Sequence, residues 1–454
     1  MESVRVTRYR VILIGAGALL VSALTAPAAV AMAPSVTGPD LAGLRDAVHS
    51  GTLGQTHGVH AVCAGADGGC QAQYVTTAKN SSSPLVTNAP VGYGPADLAS
   101  AYQLPAATVG TAGTVAVIDA GAYPPLEQDL ATYRSQFGLP ACSIASGCLK
   151  VANYLGGPPL APASTVPDKQ TEEQLGFETT LDIDMASAAC PACHLIEIQV
   201  PLADGSAATQ TDADTAAKDF ASAVTTAIGM GATAVSISYQ FNSDDSMTTG
   251  DPATALSHKG IAIVASSGDN AAEGKYNGWP QNLDTVTSVG GTSLYTTNAN
   301  GTQFTQTAWS DTGSGCTMGL PPASGQPATI ASYCQGHRAS VDVSSVADPS
   351  TGVATYDTYS PTSGVPADWT IAGGTSAGAP FIAGLYARGA NLANVLGPNT
   401  LYSAPSNDFT DVTLGQNSPP AFCQNEQEGP ALCKAGPGWD GPTGIGTPAG
   451  LGAF

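Results

Sequence analysis

Basic residues are scarce in this chain. Of 454 residues only 14 are Lys or Arg, against 35 Asp or Glu, which leaves a net charge of −21. Nucleic-acid partners are excluded on that ground, because neutralising phosphates takes clustered cations. Charge of either sign is thin, at 11%, so there is little material for a solvating disordered tail. Beyond the first 31 residues no apolar run approaches the ~20 residues of a membrane span. What is present is core: 43% of the chain is hydrophobic, and the length suits two or three domains or one large α/β domain. The acid excess fits a protein that works in acid, where protonation relieves self-repulsion, and fits secreted proteins at neutral pH equally well.

The N-terminus carries Arg5, Arg8 and Arg10, then an almost wholly apolar stretch from Val11 to Leu24, then the small-x-small triplet Ala29-Val30-Ala31. This is the layout of a secretory signal peptide over residues 1–31, and it predicts export; the apolar run is short for an uncleaved anchor. Ten cysteines suit an oxidising compartment. They fall into sequence-local couples, Cys63/Cys70, Cys142/Cys148, Cys190/Cys193, Cys316/Cys334 and Cys423/Cys433, expected to pair as local staples. Cys190-Pro191-Ala192-Cys193-His194 also matches the pattern for covalent haem attachment. A small disulfide closing a helix-to-strand turn explains the same residues.

Residues 32–91 are rich in Gly, Ala, Ser and Thr and read as a short leader, pro-segment or linker, with a possible helix over Asp40 to Ser50. From residue 92 to 454 the texture is that of one large domain. Thr114 to Ile118, Ala234 to Ser238 and Ile261 to Ala265 are short β-branched runs of the kind buried on both faces. Between them, Thr171 to Ala189 and Thr211 to Met230 have helical spacing, and Ser376 to Leu392 reads as an Ala-rich buried helix. Alternating strand and helix predicts an α/β fold, a doubly wound, mostly parallel sheet with helices on both faces. Residues Cys316 to Tyr359 give only a Cys-bounded loop and a turn at Asp348-Pro349.

Three features carry potential chemistry. Glu178 and Asp182 are four residues apart on a predicted helix, which stacks both acids on one face; a solvated helix face explains them too. Asp269 follows a buried strand in Ser266-Ser267-Gly268-Asp269, where open α/β sheets bind ligands, though an ordinary turn acid also fits. Ser376 sits in Gly373-Gly374-Thr375-Ser376-Ala377-Gly378-Ala379-Pro380, flanked by side chains small enough to admit a ligand. It suits either a tight turn or a nucleophile at a helix start. Pro380 is expected in the first helical turn, where its missing N–H is no loss.

In this order, the Glu178/Asp182 helix, Gly268-Asp269, Gly374-Thr375-Ser376 and Gly436-Pro437-Gly438-Trp439-Asp440 resemble the sedolisin family of serine-carboxyl peptidases. The resemblance begins at Tyr93-Gly94-Pro95-Ala96-Asp97-Leu98 and runs to the C-terminus. It implies a subtilisin-like fold and a secreted endopeptidase acting on polypeptides in acid, expected to be monomeric. Ser376 would be the nucleophile and Glu178 its base. Asp182 would orient Glu178, and a protonated Asp269 would donate to the oxyanion. Asp119, at the end of Val115-Ala116-Val117-Ile118-Asp119, would extend the hydrogen-bond chain behind Asp182. A subtilisin aspartate there would need a histidine in a His-Gly-Thr context, and none of the six histidines has one. Tyr239 is expected near the cleft, where a peptide could add as a strand, or else as ordinary packing.

The resemblance also implies one Ca2+, held by the side chains of Asp411 and Asp440 and the carbonyls of Val412, Gly436 and Gly438; a Gly/Pro turn with two surface acids is the alternative. Family members carry a long folded pro-region, whereas only about 60 residues separate signal and domain here. Two rival readings follow from these residues, a non-catalytic calcium-binding protein on the same fold and a haem carrier.

Overall fold

The structure, a computed structural model, describes residues 40–63, 68–106, 113–162, 169–201, 209–273, 278–298, 301–359, 368–419 and 430–454. The expected signal sequence and Cys423 lie outside them. An eight-stranded sheet organises the domain. In spatial order its strands are Phe304–Ala308, Thr287–Thr296, Ala262–Ser266, Ala234–Ile237, Thr114–Ala120, His194–Val200 and Leu149–Asn153, with Val343–Val346 pairing Thr287–Thr296 as well. All these pairings are parallel except that of Phe304–Ala308.

The β-branched runs form these strands because both faces are covered. Every residue from Val115 to Ala120, from Ala234 to Ile237 and from Ala262 to Ser266 is buried. Fully burying each Val or Ile contributes about 1.5–3 kcal/mol. From Thr114–Ala120 the chain goes first to Leu149–Asn153 and then to His194–Val200 on one side, and crosses to Ala234–Ile237 on the other. This reversal makes the carboxyl ends of the central strands a crevice. The doubly wound expectation therefore holds.

Two helices support that crevice from below. Lys169–Ala189 packs against Thr375–Arg388. They approach closely because Gly384 has no side chain: a Cβ there would lie 2.6 Å from that of Ala189. Thr375–Arg388 is shorter than expected, ending before Gly389. Pro380 also departs from expectation. It is the sixth residue of the helix, not part of the first turn, so it leaves the Ser376 carbonyl without its i+4 donor. Gln210–Gly229 begins at the cap Thr209, whose hydroxyl accepts from Asp212 N, and packs Phe220 against Tyr239 and Phe241.

Residues 40–91, read from sequence as leader or linker, carry secondary structure of their own. Asp40 caps the helix Leu41–Ser50. The strand Gln73–Val75 pairs with Val59–Ala61 and with Trp369–Gly373, the strand that leads into the Ser376 helix. Gly68–Cys70 pairs with Tyr239–Asn242. Disulfides join Cys63–Cys70, Cys142–Cys148, Cys190–Cys193 and Cys316–Cys334, and Cys433 is disulfide-bonded. Both sulfurs of the Cys190–Cys193 couple are thus committed, and neither is left for a thioether to haem. Among the described residues no helix is long and apolar enough to cross a membrane.

Candidate active site

Three strand ends and one helix face bring the candidate acids to Ser376. Asp119 is the penultimate residue of Thr114–Ala120, Ser238 follows Ala234–Ile237, and Asp269 lies three residues beyond Ala262–Ser266. Glu178 and Asp182 occupy successive turns of Lys169–Ala189 and are completely buried. The solvated-face alternative for this pair is thereby removed.

Ser376 is the second residue of its helix, so its N–H has no partner within the helix and points outward. Gly374 makes this start possible: its φ of 90° is open to glycine and strained for other residues. The Ser376 hydroxyl lies 3.4 Å from the Ser238 carbonyl and faces Glu178, whose charged form it favours.

The acids share a pocket without a cation. Asp182 accepts from the Ser238 hydroxyl at 2.8 Å. Among the described residues its other oxygen, both oxygens of Glu178 and both of Asp119 have no hydrogen-bond partner. Burial holds the carboxyl of Glu178 well above the usual range, and the charges of Asp119 and Asp269 add to it; Ser376 and the Ala72 N–H oppose the shift. Asp182 is raised by burial and by repulsion from Asp119 and Glu178. Burial lifts Asp119 to about 8. Such a cluster holds protons tightly and titrates as a unit, so Glu178, Asp182 and Asp119 share what charge the pocket carries.

Asp269 is arranged differently. One oxygen accepts from the Thr375 N–H and hydroxyl, both at 2.8 Å, while the other has no partner among the described residues. Burial raises its carboxyl to about 7, against the lowering effect of Thr375. Below that pH it is a neutral acid with a proton to donate beside Ser376. The assembly can therefore supply a nucleophile, a base, and two donors for a developing oxyanion, the Ser376 N–H and Asp269.

Tyr239 is not exposed in the cleft. Its ring is buried and its hydroxyl accepts from the Ala120 N–H. What its strand offers is backbone, which pairs with Gly68–Cys70. Sequence reasoning missed Ser238, Thr375 and Gln71. Ser238 could have been found as the polar end of the buried run Ala234 to Ser238; nothing in the sequence marked Gln71.

The candidate cation site is a turn with two acids. Asp411 accepts from Gly438 N at 2.9 Å, and Asp440 accepts from Gly436 N at 2.9 Å and from Thr443 N and Oγ1. Asp440 is buried, which together with the nearby Asp411 charge raises its carboxyl to about 7. Two carboxylates in that relation suit a divalent cation, which would relieve their repulsion. Among the described residues no group of three or more His, Cys, Asp or Glu could hold a metal, so a cation here would depend on backbone carbonyls for its remaining ligands.

No family model matches the chain. Kumamolisin from Bacillus sp. (strain MN-32) is 30% identical over 394 residues, covering 80% of this chain and 63% of its own length. Sedolisin from Pseudomonas sp. (strain 101) is 25% identical over 402 residues, covering 81% of this chain and 62% of its own length. The chain thus spans less than two thirds of either curated relative. A solved structure of Pseudomonas sedolisin, a serine-carboxyl proteinase complexed with two molecules of pseudo-iodotyrostatin, aligns with a TM-score of 0.59. Its identity is 23%, over 80% of this chain and 96% of that one, and this likeness carries the fold.

Proposed function

We propose that this chain is a member of the sedolisin family and a serine-type endopeptidase that hydrolyses polypeptides in acid. The observation that carries this reading is the convergence of Glu178, Asp182, Asp269 and Ser376 on one crevice, with an acid facing the serine hydroxyl. Glu178 takes the Ser376 proton as the hydroxyl attacks the peptide carbonyl, then returns it to the leaving amine. Asp182, fixed by Ser238, and Asp119 behind it share protons with Glu178 as it takes up and returns that of Ser376. Protonated Asp269 and the Ser376 N–H stabilise the tetrahedral oxygen. An extended substrate pairs with the backbone of Tyr239–Asn242 in place of Gly68–Cys70, which must first be displaced.

Asp411, Asp440 and the carbonyls of Val412, Gly436 and Gly438 would hold one Ca2+. Bound there, the ion supplies positive charge between the two acids and ties the C-terminal turn to the domain. Export rests on the pattern of residues 1–31, and the enzyme is read as a secreted monomer without nucleic-acid or membrane partners. The test is degradation of an unfolded protein at acid pH. Ser376→Ala and Glu178→Ala should each lower kcat by about 10^4-fold. Retained activity in either variant refutes the mechanism. Binding of a peptide without turnover by the unaltered chain would favour the non-catalytic alternative.

A further inference from the structure

A row of side-chain amides leads away from the oxyanion donors, and no step of the mechanism uses it. Gln71 N–H donates to the Ser238 carbonyl at 3.0 Å, and the Gln71 carbonyl accepts from Ser376 N at 3.1 Å. Gln71 therefore stands where the residue on the acyl side of a scissile bond would stand, and its side chain marks where that residue's side chain goes. Its Oε1 accepts from Asp269 N at 3.1 Å. Gly268, just before Asp269, forms the wall there with a φ of 101°, and a Cβ on it would lie 2.2 Å from Gln240 Oε1. Gly278 continues the wall: a Cβ on it would lie 2.8 Å from Gln240 Cδ and 2.4 Å from Gln281 Nε2. The two glycines leave room, and the two amides fill it. Gln240 is 8% exposed and Gln281 is 0% exposed. Among the described residues, Gln240 Oε1 and both Nε2 and Oε1 of Gln281 have no hydrogen-bond partner. Buried amide atoms are costly to leave unpaired, and here three lie together beside the reacting centre.

We propose that Gln240 selects the substrate residue on the acyl side of the scissile bond, that Gln281 behind it positions its amide, and that the preferred residue is glutamine. This rests on the peptidase reading above. A glutamine side chain brings two N–H donors and one acceptor. Gln71 shows its reach, since from this position the side chain gets to the Gly268–Asp269 wall against which Gln240 also lies. The Gln71 Nε2 turns back to the Gly69 carbonyl at 2.9 Å. A substrate glutamine that turns the same group to Gln240 Oε1 exchanges one acceptor for another and pairs a buried atom. Methionine, of similar length, would cover that atom and leave it unpaired, and a site built for hydrogen bonds rejects such a side chain. Lysine brings a charge that neither amide can neutralise, while Asp269 at the mouth of the slot has to keep its proton for the oxyanion. Selection falls on a neutral side chain that donates.

The experiment uses the full chain in acid and three peptides that differ only in the acyl-side residue, Gln, Met or Lys, with an unfolded protein as the general substrate. kcat/KM should be about tenfold higher for the Gln peptide than for the Met peptide, the worth of one hydrogen bond, and at least as far above the Lys peptide. Gln240→Leu should bring the Gln-to-Met ratio close to one. Gln281→Leu, which only loosens Gln240, should lower the ratio by less. The ratio is taken within each variant, so a general loss of stability does not move it. Similar rates on all three peptides overturn the inference and leave the peptidase reading standing. So does a folded Gln240→Leu variant that keeps the wild-type ratio. A chain that cleaves neither the peptides nor the unfolded protein sinks both.

Discussion

Two buried acids receive opposite treatment in this molecule. Asp342 is completely buried and fully engaged: Arg338 donates to both its oxygens at 2.7 Å, Tyr402 to one at 2.6 Å and Ser288 N to the other at 2.8 Å. Glu178 is just as buried, shares its pocket with Asp119 and Asp182, and faces no cation. In the first region the fold fixes a charge by surrounding it with donors. In the second it withholds donors, so that protons bind tightly and move among acids. The first arrangement suits holding the structure together and the second suits chemistry.

Breaking the paired region should have the largest effect on stability. Arg338→Ala strands Asp342 without its partner and is expected to cost about 3–5 kcal/mol of unfolding free energy, read by denaturant titration. A loss within 1 kcal/mol would mean that the pair is not what satisfies Asp342.

Asp269 sharpens the contrast, because it is an acid whose use depends on keeping its proton. Asp269→Ala should lower kcat about 10^2-fold, as expected for loss of one oxyanion donor. Asp269→Asn, which can still donate, should retain more activity than Ala and lose the limb of the pH profile that reports Asp269. Equal loss in both variants would argue that Asp269 acts by something other than hydrogen-bond donation.

The smallest effect is on stability against pH. Carboxyls raised by folding, Asp119 and Glu197 to about 8 and Asp269 to about 7, bind protons more tightly folded than unfolded. Their stabilising contribution is complete below the unfolded value of roughly 4 and disappears as pH rises through the folded values. Thermal melts should therefore fall between about pH 4 and 8. Asp119→Asn, which cannot ionise, should flatten part of that slope; an unchanged slope would show that Asp119 titrates normally.

Much of this contrast is visible in the sequence on one side only. Glu178, Asp182, Asp269 and Ser376 sit in local patterns whose meaning survives without coordinates: an i, i+4 pair, a strand end, a serine among small residues. The parallel core is equally plain, since strands buried on both faces must be apolar at every position. Arg338 and Asp342 fall in the stretch that gave only a loop, because their pairing depends on strands at 287–296 and a helix at 399–403. Gln71 was illegible for a related reason. A glutamine in a stretch rich in small residues carries no periodicity, and its place at Ser376 is set by a strand about 170 residues away. Pro380 was misjudged in the counting: it is the fifth residue from a Ser376 start and the sixth from the observed Thr375 start, beyond the first turn in either case.

The central claim is that acids alone manage the proton of Ser376, with Glu178 as its base and a neutral Asp269 as the oxyanion donor. It is tested most directly by kcat/KM against pH on an unfolded protein substrate, with the Ser376→Ala variant as control. Activity should be greatest in acid and decline towards about pH 7 as Asp269 ionises. A profile that rises through neutrality and peaks in alkali would contradict the account.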